Sequence, residues 1–189
     1  MLRDFLKKKY GSTRGALKFS RYYLGYFFSK KYSTDRKSQY AYKRVVFLCS
    51  GNICRSALAE VIFRNMSSIP TCSFGLHGDT GSTAPGDFIT AANLAAGAQL
   101  ENHKSTSLND FSPKADDLYV CMEPLHIKLL KEKLCLPKRS SIILLGMVWP
   151  GKTPYLHDPY NAHPVFKERI SLTIKSCTIA LAHQLSTKK

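Results

Sequence analysis

The pattern of hydrophobic and polar positions first changes at Val45-Val46-Phe47-Leu48, an unbroken apolar run of β-branched and aromatic residues after a long basic stretch. A short run of this kind predicts a strand buried on both faces. After a polar octapeptide, Leu58, Val61 and Ile62 recur at helical spacing, so the polar segment joins a strand to a helix. The alternation then repeats. Thr71 to Leu76 predicts a second strand, the Ala-rich stretch Phe88 to Gln99 a helix, and Asp117 to Met122 a third strand. Leu125 to Leu134 predicts a helix, Ser141 to Leu145 a fourth strand, and Pro164 to Leu185 a closing helix. Strands alternating with helices imply an α/β fold: a single domain with a central parallel four-stranded sheet flanked by helices, and ligands at the carboxyl ends of the strands.

Length and charge add a second part to this picture. With 189 residues, 44% of them hydrophobic, the chain suffices for one well-buried domain and an appendage. The longest run without a charged residue, Asn65 to Gly78, contains Pro70 and several polar residues and falls short of the roughly 20 apolar residues of a spanning helix. The net charge of +15 is unevenly spread: residues 1–44 hold 13 Lys/Arg against 2 Asp, and residues 45–189 hold 15 against 11 acidic residues. Residues 1–43 therefore read as a basic, aromatic-rich N-terminal extension, and residues 44–189 as the folded domain.

Through Tyr42 the extension carries 11 of the 21 aromatic residues, which solvated tails usually lack, so an interaction element is expected. Helical projection from Arg14 to Phe28 puts Arg14, Lys18 and Arg21 on one face and Ala16, Phe19, Tyr23 and Phe27 on the opposite one. Such a helix suits an anionic membrane surface or an acidic protein partner; the same apolar stripe also suits extra core folded back on the domain. No small-residue cleavage site follows the basic start, so a cytoplasmic protein is expected, with peripheral attachment at the inner membrane surface as a further option. Six cysteines occur without a Cys-x-x-Cys or Cys/His cluster, which argues for reduced thiols and neither metal nor cofactor.

The polar octapeptide Cys49-Ser50-Gly51-Asn52-Ile53-Cys54-Arg55-Ser56 carries the chemistry. With six Cys and nine Arg, a Cys-x5-Arg pair would arise roughly 0.3 times by chance, so its context decides its meaning. Between a strand and a helix, successive backbone N–H groups and the helix N-terminus converge on one anion. The same environment favours the thiolate of Cys49 as a nucleophile. Arg55 can reach back with its planar guanidinium to two phosphoryl oxygens, and Ser56 can donate its hydroxyl to the sulfur. Gly51 and Asn52 tolerate the left-handed backbone that such a cradle needs. Cys54 is near enough to Cys49 for a reversible protective disulfide, or serves as a small buried side chain. Cys72, Cys121, Cys135 and Cys177 are expected to be core residues, and His126, His157, His163 and His183 ordinary helix or loop histidines.

The octapeptide after Val-Val-Phe-Leu closely resembles the active-site loop of the low-molecular-weight protein tyrosine phosphatases, and the resemblance covers about residues 44 to 186. Asp158-Pro159-Tyr160, just before the final helix, resembles that family's general-acid loop. The resemblance implies a metal-independent phosphoric monoester hydrolase that acts on phosphotyrosine-containing proteins through a phosphocysteine on Cys49. By it, Asp158 protonates the departing phenolate and then activates water, and Tyr160 lines the pocket wall. It also implies that Ser73 and His103 support the loop through Asn52, and that Ile53 favours tyrosine over arginine phosphatase, whose relatives carry Thr there. The segment His77-Gly-Asp-Thr-Gly81 lacks the aromatic residue common on the pocket rim, and Ala57 and Asn161 also depart from the family pattern.

Two alternatives stand beside this reading. A thiol-dependent arsenate reductase shares the Cys-x5-Arg loop, and Cys121 is placed like the second thiol of its relay, but Lys128 stands where a third would lie. A basic module that holds nucleic acid or membrane through the extension, with an incidental phosphatase-like domain, would need no intact Cys49, Arg55 and Asp158 set, which argues against it and makes nucleic acid an unlikely partner.

Overall fold

The computed structural model describes residues 1–29, 42–148 and 153–187, with side chains at 28 and 29 outside the description. β1 (Arg44–Cys49) is the central strand, and Val45 to Leu48 are fully buried, as an apolar run on an inner parallel strand should be. It pairs in parallel with β2 (Thr71–Gly75) on one side and β3 (Asp117–Cys121) on the other; β4 (Ser141–Leu144) adds to β3, giving the order β2-β1-β3-β4. The expected parallel four-stranded sheet is present.

Side-chain alternation along the strands divides the core in two. Val45, Phe47, Leu118, Val120 and Ile143 face α3 (Arg55–Arg64), α4 (Gly86–Ala96) and α6 (Pro164–Ser186). Val46, Leu48, Phe74, Tyr119 and Leu144 face the side of α5 (Pro124–Lys133), where Leu130 packs. α4 stops three residues before the expected Gln99, because Gly97 takes a left-handed φ of 66° that closes the helix. Cys121 and Cys177 are core residues and Cys72 is half-buried, whereas Cys135 is exposed: α5 has ended at Lys133, and the following loop lies at the surface.

The extension begins with two helices, α1 (Leu2–Tyr10) and α2 (Thr13–Ser29), packed on each other, with α1 also against α6. α1 was not read as a helix, although Leu2, Phe5, Leu6 and Tyr10 stand at helical spacing on it; none of its residues is fully buried. The inward line of α2 runs through Gly15, Phe19 and Tyr22, one position away from the projected Phe19, Tyr23 and Phe27 stripe. Tyr23 is 44% and Phe27 72% exposed. The close approach at Gly15 sets this rotation, because a Cβ there would lie 2.8 Å from the His157 ring. Residues 30–41 of the extension and the Phe28 side chain fall outside the described residues. Among those described, no helix is long and apolar enough to cross a membrane.

The sheet's lower end is fixed by fully buried Asp117. Its carboxylate accepts Arg44 Nε at 2.8 Å and Nη2 at 2.7 Å, the Lys114 N–H at 2.8 Å and the Tyr119 hydroxyl at 3.1 Å. Removing one partner of such a group strands the others, so Asp117→Ala should lower the unfolding free energy by about 3 kcal/mol, read by chemical denaturation.

Candidate active site

Cys49 ends β1 and Arg55 starts α3, so residues 50–54 must turn sharply between them. The turn hinges on Asn52, a non-glycine residue at φ 54°. This conformation is sparsely populated for side-chain-bearing residues, and the surroundings over-determine it. Asn52 Nδ2 donates to Ser56 Oγ at 2.9 Å and Ser73 Oγ at 2.7 Å, while Oδ1 accepts the Thr106 N–H at 2.8 Å. The Asn52 carbonyl lies 2.8 Å from His103 Nε2, and the Asn52 N–H points at Cys49 Sγ, 3.3 Å away. Ser73 in turn donates to Glu60. Gly75, at the end of β2, lets that strand pass beneath the loop, since a Cβ there would come within 2.9 Å of the Gly51 carbonyl carbon.

Ser56 Oγ sits 3.0 Å from Cys49 Sγ. The Asn52 amide can only donate to this hydroxyl, which leaves the Ser56 O–H free to donate to sulfur. Cys54 is buried next to Arg55, and burial pushes its thiol well above the ordinary range. Ser50, Gly51 and Ile53 are half-buried.

Arg55 is a cation with only 1% exposure. Its Nη1 donates to the Leu156 carbonyl at 3.0 Å and lies 3.6 Å from Glu123 Oε1; its Nη2 donates to Asp158 Oδ2 at 2.6 Å. Burial opposes the charge, but Asp158 and Glu123 outweigh it and hold the guanidinium above its usual range. The buried Nε has no hydrogen-bond partner among the described residues, so one arm of the fork is available to an incoming oxygen. Glu123 is itself buried, which alone would raise its carboxyl; the His126 hydrogen bond at 3.1 Å and the Arg55 charge bring it down to about 2. Burial and Arg55 lower His126, and its Nε2 also lies 3.4 Å from Ser50 Oγ.

Asp158 belongs to an extended strap whose Leu156 N–H bonds the Met122 carbonyl at 3.0 Å. Its Oδ1 accepts the Tyr160 N–H at 3.2 Å, and Tyr160 stands 55% exposed at the site's edge. The fold therefore gathers Cys49, Arg55, Ser56 and Asp158 around one point, with Asn52, Ser73 and His103 beneath, and leaves Tyr160 outermost. Sequence reasoning missed Glu60, Thr106, Glu123 and His126. For Glu123 a signal existed: it stands two residues beyond β3 at the switch between β1 and β3, where open parallel sheets place their ligands.

This arrangement can hold a tetrahedral oxyanion on the loop and the α3 N-terminus, with a sulfur nucleophile below it and a guanidinium fork beside it. Because the Glu123 carboxyl is depressed in the fold, it stabilises the protein above its ordinary pKa near 4.5, and this contribution is lost as pH falls toward about 2. Glu123→Gln should thus flatten the loss of stability over that window in an acid denaturation series.

The sequence model of the family described as "Low molecular weight phosphotyrosine protein phosphatase" matches residues 44–189. The human low molecular weight phosphotyrosine protein phosphatase is 28% identical over 131 residues, 65% of this chain and 83% of that protein. The low molecular weight protein-tyrosine-phosphatase Etp of Escherichia coli (strain K12) is 33% identical over 127 residues, 66% of this chain and 82% of its own length. Among solved structures, the tyrosine phosphatase Wzb from Escherichia coli K30 in complex with sulphate superposes with a TM-score of 0.63 at 21% identity, covering 76% of this chain and 99% of that one. The YwlE arginine phosphatase from Geobacillus stearothermophilus shares the fold at a TM-score of 0.62 and 20% identity, over 77% of this chain and 94% of that one. With a family match that runs from the first residue of β1 to the C-terminus, this chain belongs to the low molecular weight phosphotyrosine protein phosphatase family.

Proposed function

We propose that the chain is a protein tyrosine phosphatase that hydrolyses phosphotyrosine in protein substrates through a phosphocysteine, with residues 44–189 as its catalytic domain. The observation that carries the mechanism is the convergence of Cys49 Sγ, the Arg55 fork and the Asp158 carboxylate at the N-terminus of α3. A phosphoryl group seats on the loop N–H groups and on Arg55 Nε and Nη2. Taking Nη2 releases Asp158 Oδ2 to face the leaving oxygen. Asp158, freed from Arg55, takes up a proton as Cys49 gives one up to solvent; the Cys49 thiolate attacks phosphorus, the P–O bond to the phenol breaks, and Asp158 passes its proton to the phenolate. Asp158 then takes a proton from water as the water attacks phosphorus; the P–S bond breaks, inorganic phosphate leaves, and Ser56 stabilises the returning thiolate. Ile53, half-buried within the loop, favours tyrosine as the substrate residue by the resemblance to the family's tyrosine phosphatases.

The competing chemistries lose support. Cys121 is fully buried at the end of β3 and burial raises its thiol far above the nucleophilic range, which disfavours a thiol relay for arsenate. Metal-independent turnover of aryl phosphates should vanish in Cys49→Ser while inorganic phosphate still binds, as read by calorimetry. Retained turnover in that variant, or loss of wild-type activity to a chelator, would sink the mechanism.

For the extension we propose a peripheral contact with an anionic membrane surface, such as the inner leaflet. The outward face of α2 presents Arg14, Lys18 and Arg21 together with Leu17 and Leu24, which are 74% and 53% exposed. Each basic residue near anionic lipid contributes about 1 kcal/mol, and the two leucines add apolar contact. Full-length protein should sediment with anionic vesicles at low salt, less at high salt, and not with neutral ones. Binding to an acidic protein instead of the vesicles would replace the membrane as the partner.

A further inference from the structure

We infer that the N-terminal hairpin positions the general acid, with Ser12, Tyr22 and His157 as positioning residues, a role that rests on the phosphatase reading above. The strap from Tyr155 to Asp158 has no ladder or helix of its own and is gripped from two sides. Toward the active site, the Leu156 carbonyl and the Asp158 carboxylate take the two ends of Arg55. On the other side, Tyr155 and His157 meet the hairpin. The Tyr22 and Tyr155 rings lie 5.3 Å apart, the Tyr155 hydroxyl is 2.5 Å from His157 Nδ1, and His157 Nε2 is 3.2 Å from Ser12 Oγ. Ser12 is anchored in turn, since its hydroxyl accepts the Gly15 N–H at 2.8 Å and caps α2.

Two glycines make this approach possible. A Cβ on Gly11, which also has φ 80°, would lie 2.5 Å from the His157 ring, and one on Gly15 would lie 2.8 Å from it and 2.2 Å from the Tyr10 carbonyl. Hairpin and strap thus meet as closely as backbone permits, one residue before Asp158. Without the hairpin, Tyr155 would lose its ring partner and His157 its Ser12 contact, leaving the strap Arg55, the Leu156 to Met122 backbone bond, the core burial of Leu156 and the His157 to Phe166 ring contact. Asp158 could still reach the guanidinium, but its distance to the leaving oxygen would spread. Proton donation is sensitive to that distance, whereas seating of the phosphoryl group on the loop is not.

The test compares kcat/KM, which reports events through phenol departure, for phenyl phosphate and 4-nitrophenyl phosphate. Phenolate needs the proton; nitrophenolate leaves nearly unaided. In the full-length chain, Ser12→Ala and Tyr22→Ala should each lower kcat/KM for phenyl phosphate about tenfold and for nitrophenyl phosphate less than about twofold. Competitive inhibition by inorganic phosphate should stay unchanged, and Ser12→Thr, which keeps the hydroxyl, should restore the phenyl phosphate rate. Equal losses on both substrates that track a lowered melting temperature would reduce the hairpin to a structural role and overturn the inference. Unchanged rates on both in either variant would overturn it as well. A wild-type chain inactive on both substrates would instead remove the phosphatase reading, and the positioning role with it.

Discussion

The buried charge of Arg55 is the constraint around which the rest of the molecule closes. A guanidinium taken out of water without partners would destabilise the fold by several kcal/mol. Its partners come from two distant places: Glu123 just beyond β3, and the strap, which supplies the Leu156 carbonyl and the Asp158 carboxylate. The carboxyl ends of β1 and β3 and the strap before α6 must therefore be in register before this one side chain is satisfied. The ion pairs that solve the stability problem also bring the Asp158 carboxylate and the Cys49 sulfur to the same end of α3, so folding and the construction of the site are one event.

Asn52 plays the complementary part for the anion cradle. Its left-handed backbone turns N–H groups inward, a conformation that would relax if its side chain were free. Four hydrogen bonds to Ser56, Ser73, Thr106 and His103 prevent that, and Glu60 fixes Ser73 behind them. The loop is thus organised before an oxyanion arrives, and little reorganisation remains for the reacting state.

The parts of the fold that depend on local pattern were legible in the sequence. Val45 to Leu48 could be read as a central strand because an unbroken apolar run fits a site buried on both faces, and the Cys49 to Ser56 loop gained meaning from its place between strand and helix. Glu123 was legible only through its place just beyond β3 at the sheet's switch point, and His126 not at all, since nothing in a Glu-Pro-Leu-His stretch announces that Arg55 will be buried against it. His157 read as an ordinary loop histidine because its partner Ser12 lies 145 positions away. The rotation of α2 was missed by one residue because hydrophobicity alone favours Tyr23 and Phe27, whereas close approach at Gly15 selects Tyr22. Apolar stripes show that a helix packs somewhere; the small residues on it decide at which angle.

The docking of α1 and α2 against the strap and α6 sets an order of assembly during synthesis. The hairpin leaves the ribosome before the sheet, yet the surfaces that receive Tyr22 and α1 are Tyr155 and α6, which emerge after β4. Contacts this far apart in sequence close slowly and only late. Until the strap emerges, Tyr22 lacks its Tyr155 partner, whereas Phe19 already has Tyr10 of α1 beside it. A chain that stopped short of the strap would lack both the Asp158 carboxylate and two of the partners of Arg55. Completion of the site therefore waits on the meeting of segments 145 positions apart, Ser12 with His157.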